Sequence, residues 1–200
     1  MKNMNFEKEL PNGYVQVKHI NATDKKFGLI LNLVASSVIG IFIAAAMFIL
    51  GINEKLPLKW NVPILLAGAL GMVLYIVLHE LTHGAAYKFS TKQKLTYGMK
   101  WSCAFCGVPH IYVYRKASIF ALVAPLTVFA LVLTPLTIWL YFVDSFAFVV
   151  SAVLLGYHFG GCIGDIYMFG LLLFKYRQKT LLVKDLGPEQ FLYLPESEAK

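Results

Sequence analysis

Four long apolar runs set the pattern of this chain, with shorter polar stretches between them. They extend from about Phe27 to Leu50, Val62 to about Phe89, about Ala117 to Phe142, and Phe146 to about Phe174. Each exceeds the roughly 18 apolar residues that mark a membrane span. The predicted class is an all-α membrane protein, with four transmembrane helices in a lipid bilayer. Ser36, Ser37, Gly40 and Ala44 to Ala46 in the first run are small residues that let membrane helices pack closely. Pro125 and Pro135 predict kinks in the third, tolerated where neighbours satisfy the freed carbonyls.

The polar stretch between the second and third runs has a different period. Leu95, Tyr97, Met99, Trp101, Cys103 and Phe105 alternate with Thr96, Gly98, Lys100, Ser102 and Ala104, which is a strand pattern. Gly107 and Pro109 punctuate it, and Ile111 to Tyr114 follows as a second β-rich run, so a β-hairpin is expected over 94–115. Residues 1–26 read as a polar segment with a turn at Pro11-Asn12-Gly13, and 175–200 as a polar tail. The domain organisation expected is one membrane core, 27–174, between these two ends, without an internal repeat.

Composition agrees with this reading. The 200 residues are 58% hydrophobic and 14% charged, with a formal net charge of +7. The basic residues are not arranged for nucleic acid. Five lysines precede the first run, six Lys or Arg lie between the second and third, and five follow the fourth, against only Lys55 and Lys59 in the other two loops. By the positive-inside rule both termini and the hairpin are cytoplasmic, in a multi-pass protein of the cell membrane. The first apolar run has no small-residue cleavage site after it, so a removable signal peptide is not expected. Cys103, Cys106 and Cys162 fit thiols of a reducing compartment better than a disulfide framework.

The chemistry sits inside the second run. Val62 to Leu78 contains no side chain charged near pH 7, and then comes Leu78-His79-Glu80-Leu81-Thr82-His83-Gly84. A carboxylate in such a segment costs on the order of 3 kcal/mol or more and calls for a compensating partner. On a helix His79 and His83 are i and i+4, so both rings leave one face and can grip one Zn²⁺. Glu80, one position round, can take a proton from water on that metal as general base.

A catalytic zinc wants three protein ligands and an open position. Asp165 is the other acid within an apolar run. His79 lies about 26 Å along its helix from the outer start, and Asp165 about 28 Å along its own. Both helices run inward, so the two arrive at similar depth, and Asp165 is the expected third ligand. Gly156, Gly160 and Gly164 form a small-residue ridge that would allow the two helices to approach. His158 and Cys162 share a face with Asp165; a lining role suits His158, and Cys162 is an alternative ligand.

HELTHG on a second span, a strand-like loop, a proline-bearing third span and Gly161-Cys162-Ile163-Gly164-Asp165 on a fourth resemble the bacterial putative zincin peptidases, small membrane proteins related to the site-2 proteases. The resemblance covers nearly the whole chain. It implies intramembrane zinc proteolysis of a membrane protein or peptide substrate, with His79, His83 and Asp165 as ligands and Glu80 as base. The segment before Asp165 departs from the Asn-Pro-Asp-Gly type of third-ligand motif frequent in site-2 proteases, and no PDZ domain is inserted.

Other features are read more plainly. Cys103-Ala104-Phe105-Cys106 is a lone C-x-x-C that His110 does not complete, and fits two ordinary thiols. His19 reads as a solvated histidine, and Trp60, Trp101, Trp139 and Tyr141 as interfacial anchors or packing. Two rival functions use the same residues. A non-catalytic zinc-binding adaptor would close the site with a fourth protein ligand. A small transporter would use the buried charges as an ion path.

Overall fold

The computed structural model describes residues 5–100 and 103–199. Lys2, Lys200 and the Trp101-Ser102 step of the predicted strand alternation lie outside the described residues. The elements in order are β1 (Phe6–Glu7), β2 (Tyr14–Asn21), α1 (Lys25–Ile52), α2 (Val62–Thr91), β3 (Thr96–Lys100), β4 (Cys103–Gly107) and β5 (Tyr112–Tyr114). Then follow α3 (Arg115–Val143), α4 (Ser145–Gly161), α5 (Ile163–Gly170), a π-helical turn (Leu171–Lys175), β6 (Leu182–Asp185), β7 (Glu189–Pro195) and a short 3-10 turn (Glu196–Glu198). Four helical stretches, the last running from Ser145 to Lys175, are long and apolar enough to cross a membrane, which fits a multi-pass membrane protein.

By contacts the chain falls into two compact units. One gathers Ile30–Leu78 and Leu126–Ile163. Its interior is built where small residues let helices close on one another. A side chain at Gly160 would meet the Ala35 carbonyl at 2.9 Å, and one at Gly156 would meet Phe42 and the Ile39 backbone. The glycine ridge therefore packs α4 on α1, whereas Gly164 faces open space. The expectation that this ridge serves the approach of the ligand-bearing helices is corrected: Gly156 and Gly160 meet α1, while α4 ends at Gly161 with Cys162 as its cap, so Gly164 and Asp165 belong to α5. Tyr75, Leu133 and Leu155 form one buried cluster of this unit, and Ala46, Leu50, Phe148 and Ala152 another. Asp144 alone separates α3 from α4, and its carboxylate accepts from the Ala147 N–H at 2.8 Å as an N-cap.

The other unit gathers the described residues up to Leu29, His79–Pro125 and those from Gly164 onward. It contains the main departure from an all-α reading. The segments expected as polar ends are strands of a five-stranded antiparallel sheet in the order β1-β5-β6-β7-β2. Their alternation explains it. In β7, Leu192 and Leu194 are buried while Phe191 and Tyr193 are only partly so, and one face of the sheet covers Leu122, Met168 and Leu172. Such alternation makes a strand where one face is buried. The turn at Pro11-Asn12-Gly13 is present, with Gly13 at φ +79° and the Tyr14 N–H donating to the Pro11 carbonyl at 3.3 Å.

The predicted hairpin is also redrawn. β3 and β4 pair with each other, Lys100 opposite Cys103, so the hairpin does not turn at Gly107 and Pro109. Tyr112–Tyr114 leaves that hairpin and pairs with β1 and β6 in the larger sheet. Val113, wholly buried, packs there with Val108 and Ile111 against Ala86 and Tyr87 of α2 and Ala117 and Ala121 of α3.

Candidate metal centre

Helix α2 stays regular through the HELTHG stretch, so the two histidines stack one turn apart. Their Nε2 atoms lie 3.1 Å from each other. Each also lies 3.3 Å from Oδ2 of Asp165, in the first turn of α5. Both imidazole residues are 8% exposed, and Asp165 Oδ2 is shut off from solvent without a conventional hydrogen bond.

The second nitrogen of His83 explains how its ring is set. Nδ1 lies 2.9 Å from the Ala121 carbonyl of α3. A carbonyl only accepts, so Nδ1 carries the hydrogen, and in the neutral ring that a metal ligand requires Nε2 keeps its lone pair toward His79 and Asp165. A lone pair and a carboxylate oxygen at such separation repel unless a proton or a metal cation lies between them.

Zn²⁺ fits that requirement. Ligand bonds of about 2.0–2.1 Å in a tetrahedron place donor atoms about 3.3 Å apart, against 3.1, 3.3 and 3.3 Å here. Two imidazole nitrogens and one carboxylate are a borderline donor set suited to zinc, with three protein ligands leaving a position open.

Glu80 is partly exposed and lies within electrostatic reach of His79, His83 and Asp165. The Cys106 backbone N–H of β4 donates to its carboxylate. Glu80 and Gly84 are i and i+4 on α2, and the missing side chain of Gly84 is what makes room for the Tyr97 hydroxyl of β3. Tyr97 in turn hydrogen-bonds the Cys106 thiol, which burial pushes up to about 12, so it is a neutral thiol near pH 7. The hairpin is thus seated on the helix face that carries Glu80.

The structure brings His79, His83 and Asp165 together, with Glu80 beside them. Within the helical unit His158 has its own partners: Nδ1 is 3.0 Å from the Tyr75 hydroxyl and 3.7 Å from Cys162 Sγ, and Nε2 is 3.3 Å from the Leu126 carbonyl. None of the three cysteines forms a disulfide, and Cys103, Cys106 and exposed His110 join no metal-binding cluster among the described residues. His19 pairs with Glu189 at 3.2 Å and stacks on Phe191.

Sequence reasoning missed three supporting groups. Ala121 offers only a carbonyl, which no side-chain motif announces; Pro125, four residues on, was the available signal. Tyr87 and Asp185, joined at 2.6 Å, were hidden because Asp185 stands in a segment that looks like a tail. Cys106 contributes its backbone, which any residue carries.

A model of the family described as "Putative zincin peptidase" matches residues 72–180, more than half of the chain. The match includes His79, Glu80, His83 and Asp165. No curated protein and no solved structure matches. A zincin family implies zinc, in keeping with the donor set described above. With an HExxH helix, a carboxylate converging on it and the family match across both, the chain belongs to the putative zincin peptidase family.

Proposed function

We propose that this protein is a zinc-dependent intramembrane endopeptidase, akin to the site-2 proteases, that cleaves membrane-embedded or membrane-proximal peptides. One observation carries the proposal: three donor atoms from two apolar helices meet at 3.1–3.3 Å beside a separate carboxylate. His79, His83 and Asp165 would hold the metal. Bound there, Zn²⁺ supplies Lewis acidity that polarises a scissile carbonyl and lowers the pKa of water.

The chain's own groups do the rest. Glu80 takes the proton of the attacking water and passes it to the leaving amine. The Cys106 N–H holds that carboxylate in place, which supports a base of fixed orientation. Because this N–H is turned to Glu80, the outer edge of β4 faces the carboxylate. A helical substrate has its carbonyls already bonded, so it must be extended before attack, and that strand edge offers it backbone pairing. The lysines and arginines flanking the hairpin and the chain ends support a cytoplasmic position for them, in the cell membrane.

The test is Glu80→Gln in cells, with membrane-peptide fragments compared across the proteome. The expected variant keeps its zinc and loses cleavage by about 10²–10⁴-fold, the scale of a general base. Cleavage at the wild-type rate would remove Glu80 from this role.

A further inference from the structure

In an α-helix the N–H of residue i donates to the carbonyl of residue i−4. Proline has no N–H, so within α3 the Ala121 carbonyl receives nothing from position 125. Ala121 is fully buried, which leaves water no access to compensate. The group that reaches this carbonyl is His83 Nδ1, at 2.9 Å. In the neutral ring that bond decides which nitrogen of His83 carries the proton, and it aims Nε2 at His79 and Asp165.

We propose that Pro125 is a positioning residue for the metal centre. By withholding a helical donor it reserves the Ala121 carbonyl for His83, fixing the ring's tautomer and orientation before metal arrives. The role rests on the reading of His83 as a zinc ligand. It gives a proline inside a long apolar helix a task beyond bending it. α3 continues as helix through both Pro125 and Pro135. Pro135 frees the carbonyl of Leu131, a residue 71% exposed, where no histidine takes the place of the missing donor in the adjoining sequence, and so serves as the internal control.

Pro125→Ala restores an N–H that competes for the Ala121 carbonyl. It also improves helix propensity, so loss of folding is not the expected consequence. Two readouts are needed on detergent-purified protein: Zn²⁺ affinity by chelator competition, and the His83 tautomer by ¹⁵N NMR of the metal-free state. The expected result is zinc binding weakened about tenfold or more, the scale seen when a ligand histidine loses its partner. His83 should then populate both tautomers, while Pro135→Ala behaves as wild type. Wild-type affinity and a single tautomer in Pro125→Ala would overturn the proposal, and so would an equal loss in Pro135→Ala. Wild-type protein that binds no zinc would overturn the metal reading and this role with it, a result distinct from equal affinities.

Discussion

The hydroxyl of Tyr87 donates to Oδ2 of Asp185 across 2.6 Å, joining the helix of the candidate metal centre to the end of β6. Tyr87 is one turn beyond His83, and Asp185 is 3% exposed. The other carboxylate oxygen accepts from the Gly187 N–H at 2.8 Å, and the Asp185 carbonyl accepts from the Val108 N–H beyond β4. One acidic residue from the far end of the chain therefore touches α2, the turn before β7 and the loop leaving the hairpin. Asp185 lies past residue 180, where the family match ends.

This tie has a pH signature. Burial pushes the Asp185 carboxyl from its usual 3.8 up to about 6, against hydrogen bonds from Tyr87, Gly187 and Gln190 that favour the charged form. A folded-state pKa above the unfolded one means that ionisation favours unfolding. Stability is then greatest below about pH 4, falls as pH rises to about 6, and is level beyond. Two units correspond to about 3 kcal/mol at the limit. Asp185→Asn keeps both contacts, since its amide can donate to the Tyr87 oxygen and its carbonyl can accept from Gly187. Equilibrium unfolding in detergent at about pH 4 and about pH 7.5 should show the variant gaining on wild type by about 2–3 kcal/mol between the two. Parallel curves would show that Asp185 does not titrate in this window.

The seat of the hairpin is open to a steric test. A Cβ at Gly84 would overlap the Tyr97 hydroxyl and press on Leu95 Cδ1 at 3.1 Å. Gly84→Ala should therefore displace β3 and cost about 1–3 kcal/mol of stability, the range for overpacking. Tyr97→Ala in the same chain removes the obstruction. A double-mutant cycle on thermal unfolding should give a coupling above about 1 kcal/mol, and additive losses would mean that the two residues do not meet.

The four apolar helices and the meeting of His79, His83 and Asp165 were legible in the sequence for one reason: apolar helices make charge conspicuous. Glu80 and Asp165 stand out because they are the acids within the apolar runs, and a depth count agrees with pairing Asp165 with His79. The bounds of α1, α2 and α3 follow the apolar runs closely. The sheet was not legible, because β1 is two residues long and β2 carries a register shift between Gln16 and Lys18 that breaks its alternation. β5 was visible as β-rich, yet its partners β1 and β6 are remote in sequence, and local periodicity reports no partner. The break between α4 and α5 at Cys162 was hidden for a different reason. Neither Gly161 nor Gly164 distinguishes a helix end from a packing ridge.

The most direct measurement is zinc X-ray absorption on the purified protein, wild type beside Asp165→Ala, with affinity measured on the same samples. The account predicts a wild-type shell of nitrogen and oxygen donors at about 2.0–2.1 Å, two of them imidazole. In Asp165→Ala one oxygen should be lost and zinc held more weakly. A sulfur donor at about 2.3 Å, or a spectrum and affinity that Asp165→Ala leaves unchanged, would contradict it.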